Sequence, residues 1–173
     1  MVKIKRVFSR ANHETFKIPK IGEKLKEYVK KGQIWADPFA GDNSLASLTN
    51  DLNPTKKTKY HLDAIDFCNL SKVNNLDGVL FDPPYSYRQI SEHYKIAGIK
   101  ASRLDTSFNF YNRVMENLKD KIKIGGYAIS FGWNSNGFGK KKGFELKEIL
   151  LIAHGQHHND TIMVIESKIK VSE

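Results

Sequence analysis

Residues 79–85, VLFDPPY, set an apolar run directly against two consecutive prolines. Proline brings no amide hydrogen to a sheet ladder, so a buried strand arriving here must stop. The stretch predicts a strand over 78–82 with Asp82 at its tip. A carboxylate, the proline carbonyls and the ring of Tyr85 are then held stiffly at a strand end, where a substrate could be met.

The rest of the chain supplies strands and helices around that corner. Residues 19–31 place Ile21, Leu25, Tyr28 and Val29 at helical spacing behind Pro19, an acceptable first helical position. IWADPF reads as a strand broken by Pro38, followed by further strands over 47–51, 60–67 and 78–82. Residues 86–98 read as loop or irregular helix, 106–120 as a helix with Phe108, Tyr111, Val114, Met115 and Leu118 on one face, and 126–132 as a strand. FELKEILLIAH and DTIMVIESKI, joined by GQHHN, read as a closing antiparallel pair. Alternation followed by two consecutive strands predicts an α/β fold, a mostly parallel sheet with an antiparallel edge. With 173 residues, no repeat and no long linker, 1–173 is expected to form one domain.

In such a sheet ligands gather at the carboxyl ends of the strands. The predicted strands end in acids: Asp37, Asp51, Asp63 with Asp66, and Asp82. Side by side they would line one rim and accept hydrogen bonds from hydroxyls and amines. Each alone could equally be a turn former or a helix cap.

Taken together, these residues resemble the S-adenosylmethionine-dependent DNA amino-methyltransferases of the adenine-N6 type. In that family a D/N/S-P-P-Y/F/W tetrapeptide ends the fourth strand, and Asp82-Pro83-Pro84-Tyr85 matches it. The tetrapeptide arises by chance in roughly one chain of this size in a thousand. Asp37-Pro38-Phe39-Ala40-Gly41-Asp42-Asn43 resembles the family's D-P-F-x-G-x-G cofactor motif, with Asn43 for the second glycine; Asn tolerates a left-handed backbone better than most residues. Asp51 matches the ribose-binding acid, Asp63-Ala64 the pair beside the adenine ring, and Phe16-Lys17-Ile18 the segment beside the methionine moiety. The resemblance implies a Rossmann-like class I methyltransferase fold, compacted, with S-adenosylmethionine as cofactor and Asp82, Pro83, Pro84 and Tyr85 as the catalytic loop. Only nine residues, 42–50, separate Gly41 from Asp51. A parallel crossover normally takes ten to twelve, so either the usual helix has shrunk to one turn or the segments are arranged differently.

A net charge of +9 and a pI near 9.5 suggest a polyanionic partner. Residues 1–31 carry ten Lys/Arg against three Glu, a local +7. Tyr87, Arg88, Arg103 and the loop WNSNGFGKKK, with Asn134, Asn136, Lys140, Lys141 and Lys142, are the candidate nucleic-acid contacts. A solvated surface loop reads equally well for 133–142. His154, His157, His158 and Asp160 lie close in sequence but lack metal-ligand spacing, and no metal is expected. The lone Cys68 excludes a disulfide framework and fits a reducing compartment. No signal peptide or membrane span is legible, so a soluble intracellular protein is expected. The resulting expectation is methylation of adenine N6 in duplex or single-stranded DNA. RNA base methylation and an inert nucleic-acid- or cofactor-binding relative are the alternatives. No target-recognition region is legible, which leaves specificity short or dependent on a partner subunit, and a phage or restriction-modification setting open.

Overall fold

A computed structural model describes residues 1–84, 95, 108–155 and 158–170, the first two residues of the helix at 108 as backbone only. Among the described residues ten helices and strands follow in order: β1 (Lys3–Phe8), α1 (Pro19–Tyr28), β2 (Trp35–Asp37), β3 (Leu48–Thr49), α2 (Ala64–Cys68), β4 (Leu76–Phe81), α3 (Phe108–Lys119), β5 (Ile122–Gly132), β6 (Phe144–Ala153) and β7 (Thr161–Lys168). Single 3-10 turns sit at Thr15–Lys17 and Lys140–Lys142. The seven strands form one sheet in the order β1-β6-β7-β5-β4-β2-β3. β7 runs antiparallel to β5 and β6, and the other neighbouring pairs are parallel. The carboxyl ends of β1 to β6 therefore share one rim.

Both faces of the sheet are covered, as a parallel arrangement requires. Alternation along β4 and β5 sends Leu80 and Ile129 toward α1, where they meet Ile21 and Leu25. Val79, Phe81 and Ala128 face the other way, onto Phe67 and Cys68 of α2 and Val114, Met115 and Leu118 of α3. The Trp35 ring is laid flat over Gly78 of β4. A Cβ at that glycine would come within 2.4 Å of it, so the β2–β4 contact requires the missing side chain.

The strands at Trp35–Asp37 and Leu76–Phe81, the helix at Phe108–Lys119 and the closing antiparallel pair follow the periodicity. The first helix stops at Tyr28 rather than 31, with Val29 as its cap. β5 begins four residues earlier than its apolar run, at Ile122. The strand expected over 60–67 is not formed. Tyr60 makes one parallel bridge to Asn50, and Asp63 then caps α2 by accepting the Ile65 amide at 2.8 Å. The expected strand at 47–51 shortens to Leu48–Thr49 plus that bridge. β1 has no counterpart in the sequence reading, because as an edge strand it buries no apolar face.

The short β2–β3 connection contains turns and no helix, yet β2 and β3 lie parallel and adjacent. Polar contacts replace the helix. Ser47 accepts from the Trp35 amide at 3.0 Å and donates back to the Trp35 carbonyl at 3.2 Å. Asn50 N donates to the Asp37 carbonyl at 2.9 Å, and Ala40 N to the Asn50 carbonyl at 2.8 Å.

Candidate active site

At the carboxyl rim the loops after β2, β3 and β4 enclose a cavity of about 300 Å³, closed on one side by residues 13–16 and on another by α3. Its wall carries Phe16, Pro38, Phe39, Ala40, Gly41, Asp51, Asp63, Ala64, Asp82, Pro83 and Pro84 from the residues that the sequence nominated.

Asp37 lies beneath the cavity, fully buried. One carboxylate oxygen accepts the Phe39 amide at 3.0 Å and the other meets the Ser44 hydroxyl at 2.6 Å. Burial pushes its pKa up to about 8, with the negative charges of Asp82 and Asp51 adding to the effect against the opposing hydrogen bonds. Burial thus favours the protonated form of a side chain that ties down the turn. Gly41 takes φ 54°, in the left-handed region, and a Cβ there would point into open space; its need for glycine is conformational. Asn43 is not among the residues with positive φ, so no left-handed tolerance is drawn on at that position.

Asp51 is buried and accepts the Gly41 amide at 3.1 Å through one oxygen and the Asn53 amide at 2.8 Å through the other. Each oxygen keeps a lone pair for a ligand hydroxyl. Asn50 is the hub of the rim. Its amide donates to the Pro38 and Leu62 carbonyls at 3.1 and 3.0 Å and its oxygen accepts the Leu62 amide at 2.9 Å, joining two cavity loops through one side chain. Asp42, at the mouth, pairs with Lys56 at 3.0 Å and accepts the Lys57 amide at 2.8 Å, which hold its carboxyl below the usual range.

The double-proline corner sits where β4 leaves the sheet. The Tyr111 hydroxyl of α3 donates to the Pro84 carbonyl at 2.7 Å and fixes the corner from above. Behind it Tyr111, Phe39, Phe81 and Phe138 follow edge to face, with ring centroids 6.1, 5.6 and 5.8 Å apart.

Other nominated residues lie elsewhere. Ile18 is in the core beneath α1, and Lys17 is exposed and paired with Glu14. The loop 133–142 leaves the cavity rim and descends to the start of β6, so Lys140, Lys141 and Lys142 stand at the opposite rim. Lys142 pairs there with Glu116 at 3.5 Å. Phe138 is buried, and the Phe138 and Gly139 amides donate to Glu166 at 2.6 and 2.8 Å, pinning the loop to β7. Asn134 and Asn136 are exposed, and the Asn134 oxygen is used by the Asn136 amide at 2.9 Å. His154 joins the Ser9 carbonyl at 2.8 Å and the Thr161 hydroxyl at 2.9 Å. A carbonyl can only accept, so Nδ1 carries the proton and the ring acts as a strut. Tyr85, Tyr87, Arg88, Arg103 and His157, with most of 86–98, lie outside the described residues. Sequence reading missed Glu14, Asn50, Lys56 and Phe110 as wall residues. Asn50 alone carried a signal, its place beside a nominated acid at a strand end.

No protein-family model matches the chain, and no curated protein matches it. Among solved structures it is similar to TrmN from Thermus thermophilus, with 14% identity and TM-score 0.58 over 88% of this chain and 49% of that one. The chain thus spans about half of TrmN's length. It is also similar to the 1,6-didemethyltoxoflavin-N1-methyltransferase of Burkholderia thailandensis, solved with S-adenosylhomocysteine, at 9% identity and TM-score 0.60 over 91% of this chain and 80% of that one. N-methyltransferase NodS from Bradyrhizobium japonicum gives 7% identity and TM-score 0.55 over 88% and 96%. Order, direction and these likenesses agree: the chain has the Rossmann-like class I methyltransferase fold, with β1 added beside β6.

Proposed function

We propose that the protein transfers the methyl group of S-adenosylmethionine to the exocyclic N6 amine of adenine in DNA. The observation that carries this is the juxtaposition of the Asp82-Pro83-Pro84 corner with an acid-lined cavity at the parallel rim of a methyltransferase fold.

The cavity chemistry fits the cofactor. At about 300 Å³ it falls at the lower end of small-molecule sites. Asp51 retains acceptor capacity for ribose hydroxyls, Ala40, Leu52, Leu62 and Ala64 offer apolar wall to a purine, and the acids suit a cationic ligand. Asn43 on the wall has a buried side-chain nitrogen with no acceptor among the described residues, a donor that a ligand carboxylate or ring nitrogen would satisfy. When bound, S-adenosylmethionine supplies an electrophilic sulfonium methyl.

The chain's own contribution is to make a poor nucleophile attack. An adenine amine delocalises its lone pair into the ring. The Asp82 carboxylate and Pro83 carbonyl accept its two hydrogens, so the lone pair is turned out of plane toward the methyl. Prolines and the Tyr111–Pro84 bond hold these acceptors in place beforehand. As the new N–C bond formed and the donor's S–CH3 bond broke to release a neutral thioether, the nitrogen would turn strongly acidic and shed a proton to Asp82 or to solvent. Target choice belongs to short loops or to a partner subunit.

The test is transfer of labelled methyl to duplex DNA, single-stranded DNA and RNA by wild type and Asp82→Ala. The expected outcome is label on DNA adenine, reduced at least about a hundredfold in the variant. Label on RNA alone would move the substrate to RNA, and absence of cofactor binding by calorimetry would make the chain an inert relative.

A further inference from the structure

We propose that the free edge of β1 is a track for the DNA backbone leading to the cavity, a proposal that rests on the nucleic-acid reading above. β1 is the edge strand of the sheet and pairs on one side only, with β6. Because that pairing is parallel, its carboxyl end arrives at the cavity's rim. Ser9 N donates to the Ala153 carbonyl at 3.0 Å, and His154 grips the Ser9 carbonyl, so the exit of β1 is fixed. Residues 13–16, which follow shortly, are cavity wall.

The strand's cations form no ion pair among the described residues. Lys3, Lys5, Arg6 and Arg10 are exposed and have no carboxylate partner among the described residues, whereas Lys20 and Lys24 on neighbouring α1 pair with Glu23 and Glu27. Three acids lie nearby: Glu148, opposite Lys3 in the register, is buried and pairs with Lys24 at 2.8 Å. Glu145 lies close to the amino terminus, and Asp160 accepts the His154 amide. On the sheet face that carries Arg6, Ile4 and Phe8 are 67% and 65% exposed, apolar groups able to lie against sugars or base edges, while Lys3 and Lys5 project from the other face. A parallel edge strand also turns alternate backbone N–H groups outward, and such groups are regular phosphate donors.

Geometry sets the reach. β1 lies four strand spacings from β4, about 19 Å at 4.8 Å each. That is the length of five to six nucleotides of one strand at 3.4 Å each. A duplex whose target base enters the cavity beside Asp82 would therefore lay its flanking phosphates on the β1 edge. Edge lysines also discourage strand-to-strand pairing, but that role leaves DNA affinity untouched.

The triple substitution K3Q/K5Q/R6Q separates the two. Binding of a 20-base-pair duplex is followed by fluorescence anisotropy from 50 to 200 mM salt, in the full chain. The slope of log affinity against log salt should flatten by about two to three, with a loss of roughly tenfold or more at 100 mM salt. The Tm and the S-adenosylhomocysteine affinity should be unchanged. An unchanged slope, an equal loss in the exposed pair K30Q/K31Q, tighter binding of duplex RNA than of DNA, or no DNA binding by wild type overturns the track. If wild type binds DNA through β1 but methylates no nucleic acid, the track stands and the methylation reading falls.

Discussion

Asp37 shows how much one side chain's environment can reverse its ordinary chemistry. Unfolded, it ionises near 4; folded, it holds its proton to about 8. A carboxyl whose folded pKa is raised contributes stability that is fully present below the unfolded value and is lost as pH climbs through the folded one. Asn at this position keeps an acceptor for the Phe39 amide and a polar partner for Ser44, without the ionisation. The stability of Asp37→Asn relative to wild type should therefore grow by about 1 kcal/mol per pH unit from pH 5 to pH 8 and then level off. Urea midpoints across that range measure it; a gap independent of pH would show that Asp37 is ionised in the fold. None of this was legible in the sequence, where Asp37 is one acid among several at strand ends. Its burial depends on the Ser44 turn folding over it.

Among the elements, those with a strong apolar period were readable and those shaped by polar contacts were not. β4 declared itself because the two prolines mark its end, and α3 because its face repeats every three to four residues. The segment over 60–67 misled for a physical reason: its alternation suits a strand, but the Asp63 cap and Asp66 in the first turn select a helix. The β2–β3 connection could be flagged as short, yet nothing local reveals that Ser44, Ser47 and Asn50 would take over a helix's role. The β2–β4 contact makes the sharpest demand on a single position. Gly78→Ala would drive a methyl group into the Trp35 ring and should cost about 1–3 kcal/mol in chemical unfolding, with part of that restored by a smaller apolar residue at 35. A neutral Gly78→Ala would mean the ring can slide away.

For the molecule entire, a cavity that takes the proposed cofactor links ligand and stability by mass action. S-adenosylhomocysteine at a hundred times its Kd should stabilise the fold by about 2.7 kcal/mol, raising Tm by roughly 5–10 °C. Asp51→Ala, which removes the proposed ribose acceptor and the tie to Gly41, should abolish most of that rise. Thermal scans with and without ligand decide it. Fold class, the double-proline corner and half the cavity wall could be read from residue order alone. The lysines at 140–142 could not be placed, because only the path of the chain from β5 to β6 shows that they end on the far side.

Lys3 lies opposite Glu148 in the sheet. During synthesis β1 must therefore wait for β6, a delay of roughly seven to thirty seconds at ordinary rates. Until then its lysines and its exposed Ile4 and Phe8 hang beside a half-built sheet, available to chaperones and proteases. Loss of β6 would strand this segment permanently, so damage at β6 is felt at β1 first.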